Sequence, residues 1–328
     1  MYRIVDFSEE LTSEWDEFVL NKSVNGTFLQ TRKFINYHAE EKFIDSSLVV
    51  YKGNDIVAVI LACICDIDNE KYFFSHRGTT FGGFVIGRQI YSVTSISEIM
   101  DLFEEKVKEL GCSRCYLKQT PSIFQKNNTD LVDYFLYQKG YQEYTELNFY
   151  MNLSRYRDDV LSQFSSSKRR DYRYSLKNEL LFKKLESPEE IKQFYDVLQL
   201  NLQKLNLNSV HSYEDLLDLK YNRFEEEIEF YGVYLEDKMI AGSMIFIFNN
   251  NIFHTQYLSS DQEYLKLYPM DFLIGKLIQT AVDKEMDIFT FGICTEDQGR
   301  YINLGLSRFK EGFGTEYCLN KSFEKKIQ

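Results

Sequence analysis

The most informative pattern of hydrophobic and polar positions is one that the chain contains twice. Residues 47–58 and residues 231–242 each show two apolar runs, with a Val-Tyr pair in the first run and a short polar segment between the runs. Such alternation is typical of half-buried strands, and the polar segment, Gly53-Asn54-Asp55 in the first copy, is typical of a tight turn. The pattern therefore predicts a β-hairpin at both places.

Two further blocks repeat in the same order and with nearly the same spacing. An amphipathic segment that leads into a short apolar strand occurs at residues 99–118 and again at residues 273–291. The motif Tyr137-Gln-Lys-Gly-Tyr141 is similar to Phe309-Lys-Glu-Gly-Phe313. Repeats of this size predict an internal duplication, in which two copies of one α/β unit follow one another. We expect a ligand to bind in one copy or between the two.

The periodicity predicts the same order of elements in each copy. In the first copy we expect helices over 13–21, 31–41 (N-cap Thr31) and 97–110, and strands over 47–51, 56–65, 71–76, 114–119 and, as a pair, 141–153. In the second copy we expect helices over 168–178, 188–205, 213–222 and 269–286, strands over 228–235, 239–248, 251–258 and 287–293, and a tail over 306–323.

This order of elements predicts an α+β, or mixed-sheet α/β, fold, because the strands run consecutively before a crossover helix appears. We expect one domain over residues 1–154 and a second over residues 155–328, with Ser165-Ser-Ser167 as the N-cap of the helix after the junction. The chain contains no GxGxxG or GxxxxGK(S/T) motif. Dinucleotide-binding and P-loop folds, which need these phosphate cradles, are therefore excluded.

Length and charge agree with a two-domain protein that does not bind DNA. The chain has 328 residues, and 50 acidic residues outnumber 38 Lys and Arg residues, which gives a net charge of −12. Such a surface repels nucleic acid wherever positive charge is not concentrated locally. No apolar stretch has the roughly 20 residues that span a bilayer, and the first ten residues lack the features of a signal peptide. We therefore expect no transmembrane segment and a cytoplasmic location.

The six cysteines are expected to be free thiols. Most of them lie in apolar strand patterns, where reduced cysteine behaves as a small hydrophobic side chain. Cys112 and Cys115 have the spacing of a zinc or redox pair, but the sequence offers no second pair and no nearby histidine. We expect no metal site.

Residues 168–177 form a basic segment in an otherwise acidic chain. They contain five basic residues and one acidic residue, Asp171. Positive charge in the first turn opposes the helix dipole at about 0.3–1 kcal/mol per exposed charge, a cost that a bound anion would relieve. The alternative is a solvated face that pairs with acidic neighbours. The substrate-binding candidates on two adjacent helix faces are Arg169, Arg173 and Lys177 on one, and Arg170 and Tyr174 on the other.

A second candidate for anion binding is Lys310, which lies between Phe309 and Phe313 near a turn expected at two glycines. The alternative is that both phenylalanines belong to the core and that Lys310 is an ordinary solvated lysine. Upstream, Phe291-Gly292 ends a strand that is expected to be buried. Ligands often bind at the carboxyl ends of such strands, so Phe291, Gly292 and Phe309 are further substrate-binding candidates.

The Lys-Arg-Arg sequence of residues 168–170, the strand end Phe291-Gly292 and the Phe309-Lys310…Phe313-Gly314 motif, in this order, resemble the Fem-type aminoacyltransferases and their relatives. The resemblance covers nearly the whole chain and implies two tandem GNAT (N-acyltransferase) domains. The best-known members transfer amino acids from aminoacyl-tRNA to the peptide of a lipid- or nucleotide-linked peptidoglycan precursor. Related proteins acylate amino sugars or other amines.

The resemblance also implies roles for individual residues. Arg170 and Tyr174 would bind the phosphates of the acceptor, and Lys310 would steady phosphate or developing negative charge. Residues 213–222 leave no room for the long coiled-coil arm of several family members. The loop that binds pyrophosphate in ordinary acetyl-CoA enzymes falls at residues 263–269, which include the candidate Tyr268 but no glycine. The glycine-rich residues 77–83 have another spacing and are expected to form a turn or an acceptor-lining loop.

Acyl transfer needs a neutral amine, a polarised carbonyl and a route for the proton. His254 and Tyr257 lie on a predicted strand, and their spacing of three residues predicts that they face opposite sides of it. His254 is a candidate general base, with a hydrogen-bonded core histidine as the alternative. Proton transfer by the substrate itself is an equally good hypothesis. No Cys/His or Ser/His arrangement supports a nucleophile.

The leading hypothesis is an N-acyltransferase that forms an amide on an amino group of a peptidoglycan or surface-polysaccharide precursor. The second domain is expected to be catalytic, with Lys310, His254 and Tyr257 as catalytic candidates, and the first to shape the acceptor cleft. We expect no tightly bound cofactor, acyl-CoA or aminoacyl-tRNA as the donor, and a small-molecule or nucleotide-linked amine as the acceptor. The alternative is a non-catalytic binding module that keeps the tandem fold. The oligomeric state stays open.

Overall fold

The computed structural model describes residues 1–39, 41–204 and 209–327 of the chain. They form two compact units, which comprise Met1–Glu146 with Leu319–Gln328 (unit 1) and Leu147–Cys318 (unit 2). The sequence-based division after Ser154 differs from this one mainly at the end of the chain. The reason is that residues 322–326 pair with a strand of unit 1.

Unit 1 is built on a sheet in which one pair of neighbouring strands is parallel. Its strands are β1 (Tyr2–Asp6), β2 (Ile44–Asp45), β3 (Leu48–Lys52), β4 (Asp55–Ile67), β5 (Glu70–Ser75), β6 (Gly83–Ile86), β7 (Arg114–Lys118) and β8 (Gln142–Asn152). The sheet has the order β1-β3-β4-β5-β7, β5 and β7 are parallel, and β2 and β6 pair with β4. The helices are α1 (Thr12–Glu17), α2 (Arg32–Ile35), α3 (Val93–Glu109) and α4 (Asp130–Gln138). Helix α3 supplies the crossover that the parallel strands need.

Unit 2 has the same arrangement. Its helices are α5 (Ser166–Ser175), α6 (Pro188–Lys204), α7 (Tyr213–Leu217), α8 (Pro269–Asp283) and α9 (Leu304–Glu311). Its strands are β9 (Leu181–Leu185), β10 (Ile228–Leu235), β11 (Lys238–Phe248), β12 (Ile252–Ser260), β13 (Ile288–Ile293), β14 (Thr295–Glu296) and β15 (Tyr301–Ile302), and the last strand of the chain is β16 (Glu316–Lys326). The sheet has the order β9-β10-β11-β12-β13, and β12 and β13 are parallel with α8 as their crossover.

Strands β8 and β16 each contain residues of both units, and each completes one sheet. Residues 148–152 of β8 pair antiparallel with β13 in unit 2, and residues 322–326 of β16 pair antiparallel with β7 in unit 1. The two units therefore have the same sequence of hairpin strands, crossover helix and parallel strand. This confirms the predicted mixed-sheet fold and the two similar units.

Each unit packs its crossover helix onto its sheet through an apolar face. Residues 57–63 of β4 are buried without interruption, as expected for a strand that is covered on both faces. Helix α3 buries five apolar side chains at helical spacing, whereas α8 buries nine residues and is the more apolar helix. The amphipathic pattern alone was thus sufficient to identify both helices.

Several predicted elements differ from the structure. The helix expected over 31–41 is reduced to α2, because the chain leaves helical geometry at Asn36, whose ψ is 11°. Thr31 is its N-cap, as expected, and accepts a hydrogen bond from the Phe34 N–H. Glu40 and Leu205, which two predicted helices include, lie outside the described residues. The pattern does not indicate β1, α4 or α9. Helix α9 replaces the expected turn, and the positive φ of 85° falls on Gly314, beyond its end.

Phe323 of β16 is fully buried in the core of unit 1, and this burial gives a test of the shared strand. Phe323→Ala should destabilise unit 1 by about 3–5 kcal/mol, because a truncated core side chain leaves a cavity. Urea unfolding followed by fluorescence of Trp15, the single tryptophan and a buried residue of unit 1, measures the change. The exposed Lys326→Ala is the control and should shift stability by less than about 0.5 kcal/mol. An unaltered Trp15 transition in Phe323→Ala would contradict this role of β16.

Candidate functional site

The basic segment forms helix α5, and one of its lysines is turned inward. Ser165 is the N-cap and its hydroxyl accepts a hydrogen bond from the Lys168 N–H, as the sequence predicts. The Lys168 ammonium lies 2.6 Å from the Asp271 carboxylate in the first turn of α8 and 4.3 Å from the centre of the Phe309 ring. This ion pair and cation–π contact tie α5 to α8 and α9.

Tyr172 fixes the rest of α5 against α8. Its ring covers Gly275, where an added Cβ would lie 2.2 Å from Tyr172 Cε2, and it stacks on Phe272 with ring centres 6.5 Å apart. Only glycine permits such a close approach of a ring to the helix backbone. Since Lys168 and Tyr172 face α8, the other basic side chains of α5 are left on its outer side.

The predicted arginines of α5 lie on this outer side. The Arg170 side chain is 61% exposed, and its guanidinium pairs with the neighbouring Asp171 carboxylate at 3.1 Å. Arg173 is exposed and Arg169 is half-buried. The three arginines are therefore placed where a dissolved anion can reach them, with Arg170 already in contact with a carboxylate.

Tyr174, Lys177 and Tyr268 are brought together at the end of α5. The rings of Tyr174 and Tyr268 are stacked with centres 6.2 Å apart, and the Lys177 ammonium lies 5.3 Å from the centre of the Tyr174 ring. The sequence predicts all three as substrate-binding residues. Their proximity gives a small exposed surface with two aromatic rings and one positive charge.

The segment that leads into α8 is a short helix followed by a turn, and not a glycine-rich loop. Residues Gln262–Leu267 form a 3₁₀-helix, Tyr268 adopts a left-handed conformation with φ 55°, and Pro269 begins α8. The Asn178 side-chain amide donates a hydrogen bond to the Leu267 carbonyl at 3.2 Å. A left-handed conformation is uncommon for a bulky residue, so this turn is held by its surroundings.

The parallel strands β12 and β13 separate soon after they meet. They pair over Ile252–His254 and Ile288–Thr290, and no further pairing joins them in the described part of the chain. Just beyond this point, the register of β12 against β11 shifts at Gln256 and that of β13 against β8 shifts at Phe291. An extra residue on each strand bends it and re-aims the side chains that follow.

The β-bulge at Gln256 overturns the prediction that His254 and Tyr257 face opposite sides of their strand. His254 pairs with Phe246 and Tyr257 with Met244, two residues that share a face of β11. His254 and Tyr257 therefore share one face of the sheet. The prediction was wrong because one inserted residue inverts the alternation of every side chain beyond it.

His254 and Tyr257 have pKa values that favour their neutral forms. Burial, assisted by the nearby Lys310 charge, lowers the pKa of His254 to about 4. Burial raises the pKa of Tyr257 to about 12. The Tyr257 hydroxyl lies 2.6 Å from Nδ1 of the buried His211. Sequence reasoning missed His211, because it lies far from Tyr257 in the chain and belongs to no local motif.

Lys310 lies in the last turn of helix α9 and is only 4% exposed. The expected glycine turn and the alternative of a solvated lysine are both wrong, because the side chain is directed into unit 2. Its ammonium donates hydrogen bonds to the carbonyls of Phe291, Gly292 and Ile293 at 3.1, 3.1 and 2.6 Å. Burial lowers the pKa of Lys310 to about 8. All three N–H donors of the ammonium are used within the protein.

The aromatic residues around Lys310 form part of the core. Phe291 is 5% exposed, Phe313 is fully buried, and their ring centres are 5.7 Å apart. Phe309 packs edge-on against Phe313 with ring centres 5.3 Å apart. Gly292 has a positive φ of 70°. Phe291 and Phe309 therefore hold the end of β13 in place, and Lys310 fixes its carbonyl groups.

No described residues form a group of three or more His, Cys, Asp or Glu side chains that could hold a metal ion. Cys112 and Cys115 are both buried, and burial raises their pKa values. None of the helices in the described parts of the chain combines the length and the apolar character that a membrane crossing requires.

Comparison with known proteins places these features in a family context. Residues 163–311, which contain α5, the separating strands and Lys310, match the family model for the acetyltransferase (GNAT) domain. No curated protein matches the chain significantly.

Solved structures similar to this chain extend over nearly its whole length. FemX shares 13% identity over 99% of this chain and 97% of its own, with a TM-score of 0.72. The C-terminal domain of a putative lysylphosphatidylglycerol synthetase from Agrobacterium fabrum shares 12% over 97% and 92%, with a TM-score of 0.64. A tandem GNAT protein from the clavulanic acid biosynthesis pathway shares 9% over 100% and 99%, with a TM-score of 0.59. The chain therefore has the fold of Fem-type, tandem-GNAT proteins, and its residues 163–311 match the model of the acetyltransferase (GNAT) domain.

Proposed function

We propose that this protein is an N-acyltransferase that forms an amide on an amino group of a cell-envelope precursor, with its reaction centre in unit 2. The observation that carries the proposal is the separation of β12 and β13 beyond His254 and Thr290, with an extra residue on each strand. Separated strands leave backbone N–H and C=O groups without a ladder partner on their facing edges. An extended acyl donor can pair with such groups as an added strand does.

The side chains around this opening suit direct transfer of the acyl group to the amine better than a covalent acyl-enzyme intermediate. His254 and Tyr257 share one face of β12, and Lys310 is held behind the end of β13. The thiol of Cys294 is buried and lies 3.0 Å from the Ser307 hydroxyl, so it is not presented as a nucleophile. These side chains fit a direct attack of the acceptor amine on the acyl carbonyl.

The pKa values of the site favour proton transfer by the substrate. A general base works best when its pKa lies near the working pH, and the pKa of His254 is about 4. His254 is uncharged at neutral pH and is then a weak base, which serves better to orient the donor. Tyr257 keeps its proton, because its pKa is about 12, and its hydroxyl is held by His211. With His211 Nδ1–H as the donor of the bond that joins them, the Tyr257 O–H is left to donate to the group that leaves the acyl carbon.

The proposed role of Lys310 is to position β13, whose carbonyls it binds. Its three hydrogen bonds fix successive carbonyls of β13, so a direct bond to a substrate would break one of them. Its positive charge nevertheless stabilises negative charge that develops on the acyl oxygen nearby, and the effect is strong in a buried site. The structure thus favours a positioning and electrostatic role for Lys310 over a phosphate contact.

The outer side of α5 is proposed to bind phosphates. Arg169, Arg173 and Lys177 offer positive charge there, and the stacked rings of Tyr174 and Tyr268 offer a surface for a planar group. A nucleotide-linked acceptor carries both features, as does the end of an aminoacyl-tRNA. The folds of FemX and the lysylphosphatidylglycerol synthetase domain support an aminoacyl donor, and the GNAT family match supports acyl-CoA. Either donor places the reaction in the cytoplasm, with unit 1 contributing to recognition of the acceptor.

A second candidate function is a binding module without catalysis. The observation that favours it is the segment before α8, where a 3₁₀-helix and the left-handed Tyr268 stand in place of a flexible glycine-rich turn. A donor that needs backbone N–H groups of such a turn would bind weakly here. An assay of amide formation separates the two functions.

Activity is tested by incubating the protein with acyl-CoAs or charged tRNAs and with amino-sugar or peptide amines, followed by mass spectrometry. Formation of an amide is the expected result. Tyr257→Phe should lower kcat/KM by about 100-fold, because it removes the proton held near the leaving group. Tyr221→Phe, which removes an exposed tyrosine hydroxyl from the same unit, is the control and should retain activity. Absence of product with every pair would favour the binding module, and full activity of Tyr257→Phe would remove Tyr257 from the mechanism.

The phosphate-binding surface is tested with the double variant Arg173→Ala/Lys177→Ala. We expect about tenfold weaker binding of a uridine-diphosphate-linked amino sugar in calorimetry, since one or two charge-assisted contacts are lost. The matched control is Lys183→Ala/Lys192→Ala, which removes two lysines of similar exposure, about half, elsewhere in unit 2. Equal affinities of the two double variants would show that α5 does not bind phosphate.

The buried ammonium of Lys310 predicts a dependence of stability on pH. Its pKa is about 8 when folded and 10.5 when exposed, so the unfolded chain binds more protons between these values. The stability of wild type relative to Lys310→Met should therefore rise with pH across this window, by up to about 3 kcal/mol. Urea unfolding followed by circular dichroism at pH 8 and pH 10 measures the difference. The exposed Lys266→Met should show no such dependence, and neither should Lys310→Met if Lys310 were solvated in the native state.

A further inference from the structure

Unit 1 contains a cavity of about 480 Å³ that the proposed acyl transfer does not use. Its lining includes Arg32, Asp45, His38, His76 and Phe43. Arg32 and His76 are each 2% exposed, which is unusual for residues that can carry charge. A volume of this size lies within the range of small-molecule sites, which combine apolar walls with a few placed polar groups.

Gly78 fixes the protons of both histidines. Its backbone N–H donates to His76 Nδ1 at 3.1 Å, and its carbonyl lies 2.8 Å from His38 Nε2. His76 therefore carries its proton on Nε2, and His38 turns Nδ1 toward the Lys42 ammonium at 3.3 Å. A Cβ at Gly78 would lie 2.4 Å from His38 Nε2 and 3.0 Å from His76 Nδ1, so no side chain fits there. The two histidine rings and Gly78 therefore form one packed cluster.

His76 is held as a neutral hydrogen-bond donor. Burial lowers its pKa to about 4 against the attraction of the Asp45 carboxylate. Among the described residues, the one hydrogen bond of its side chain is the bond at Nδ1. The N–H group at Nε2 is thus available on a side chain that lines the cavity.

Arg32 is a buried cation with spare donors. Its guanidinium bonds to Asp45 and, at 3.1 Å, to the Ser47 hydroxyl, and it lies over the Phe7 ring at 3.8 Å from the ring centre. Arg32 Nε is buried and has no acceptor among the described residues. An arginine has five N–H groups, and leaving a buried donor unpaired is unfavourable. An unpaired buried donor is kept more readily at a ligand-binding site than in an ion pair whose role is purely structural.

The charges around the cavity balance. Arg32 and the nearby Lys42 are offset by Asp45 and by Glu9, which also lines the cavity. An anion would meet two carboxylates and a cation would meet a guanidinium. A neutral ligand avoids both, provided that it can donate to Asp45 and accept from Arg32 and His76. A hydroxyl group does both, because it has one donor and two acceptor positions.

We propose that this cavity binds an uncharged sugar ring. Vicinal hydroxyls donate to the Asp45 carboxylate and accept from His76 Nε2–H and the Arg32 guanidinium. Phe43, whose ring centre lies 5.0 Å from that of His38 and 4.9 Å from that of His76, provides an apolar wall for the C–H groups of the ring. This site lies in unit 1 and does not depend on the acyl transfer proposed for unit 2, so either can fail without the other.

The proposal is tested by calorimetry and saturation-transfer NMR with glucose, galactose, N-acetylglucosamine and cellobiose as uncharged probes. Glucosamine, glucuronate and inorganic phosphate are the charged probes. We expect one equivalent of at least one uncharged sugar to bind saturably and more tightly than every charged probe. Failure of all four uncharged sugars to bind, or tighter binding of glucuronate or phosphate, overturns the proposal.

Variants locate the binding in this cavity. His76→Asn keeps an acceptor for the Gly78 N–H but lacks Nε2–H, and should weaken sugar binding at least tenfold. His76→Gln, which restores a donor near Nε2, should recover part of the affinity. Ala39→Trp, at an exposed position of the lining, should abolish binding without disturbing the buried groups.

Two checks keep these results interpretable. Native Trp15 fluorescence, from a ring 5.4 Å from the Arg32 guanidinium, shows that the variants without an added tryptophan fold, and circular dichroism shows it for Ala39→Trp. Asp55→Asn lies in a different cavity of unit 1 and should bind as wild type does. Undiminished sugar binding by a folded Ala39→Trp, or equal loss in His76→Asn and Asp55→Asn, contradicts the assignment.

Discussion

The parallel pairing of two strands is the constraint on which the rest of each unit depends. Parallel neighbours cannot be joined by a hairpin, so the chain must leave the sheet, form a helix and return. Helix α8 does this between β12 and β13, and it provides the surface against which α5 packs through Tyr172 and Lys168. The point where β12 and β13 separate then becomes an opening at the end of the pair. Fold and candidate site therefore have one origin.

A buried ammonium makes this opening stable. Transfer of a charged lysine from water into the protein is costly, and Lys310 offsets the cost by three hydrogen bonds to carbonyls of β13. The strand end benefits in return, because a strand that has lost its neighbour would otherwise leave carbonyl groups unpaired. The depressed pKa shows that the compensation is incomplete. A protein retains such a group most readily where its charge is used.

The sequence was sufficient for features that depend on neighbouring residues. The hairpins over 47–58 and 231–242, the crossover helices and the caps Thr31 and Ser165 follow from periodicity and from local hydrogen bonding, and the structure contains all of these. The pair of strands expected over 141–153 is instead the single strand β8. Features that depend on one inserted residue or on distant contacts did not follow. The bulge at Gln256 leaves no mark in the sequence pattern, yet it decides which face Tyr257 occupies.

Lys310 and His211 show the same limit. The motif around Lys310 indicated an important residue, but its glycines suggested a turn, since glycine is common both in turns and just after helices. Whether a lysine is buried depends on the carbonyls that receive it, and these lie on another element. His211 is identified only through its contact with Tyr257. Residue types at a site can thus be proposed from sequence, whereas their protonation and direction need the fold.

The corresponding strands of unit 1 show why the chemistry is assigned to unit 2. There β5 and β7 pair in parallel over Tyr72–Phe74, and the backbone groups of Lys118, just beyond this pairing, are bonded within the unit. The Ser75 hydroxyl accepts from the Lys118 N–H at 2.8 Å, and the Gly82 N–H donates to the Lys118 carbonyl at 3.1 Å.

Both backbone groups of Lys118 are therefore satisfied without a ligand, and Phe74 stacks on Tyr116 with ring centres 4.6 Å apart. In unit 2, the backbone carbonyls at the end of β13 are bonded by the buried ammonium of Lys310, which takes the place of the hydroxyl and the backbone group. A hydroxyl satisfies a backbone group without placing a charge there, whereas a buried cation keeps a charge beside the strand end. The two copies have thus diverged at one equivalent point, and it is the charge of Lys310 that the proposed acyl transfer uses to stabilise an oxyanion.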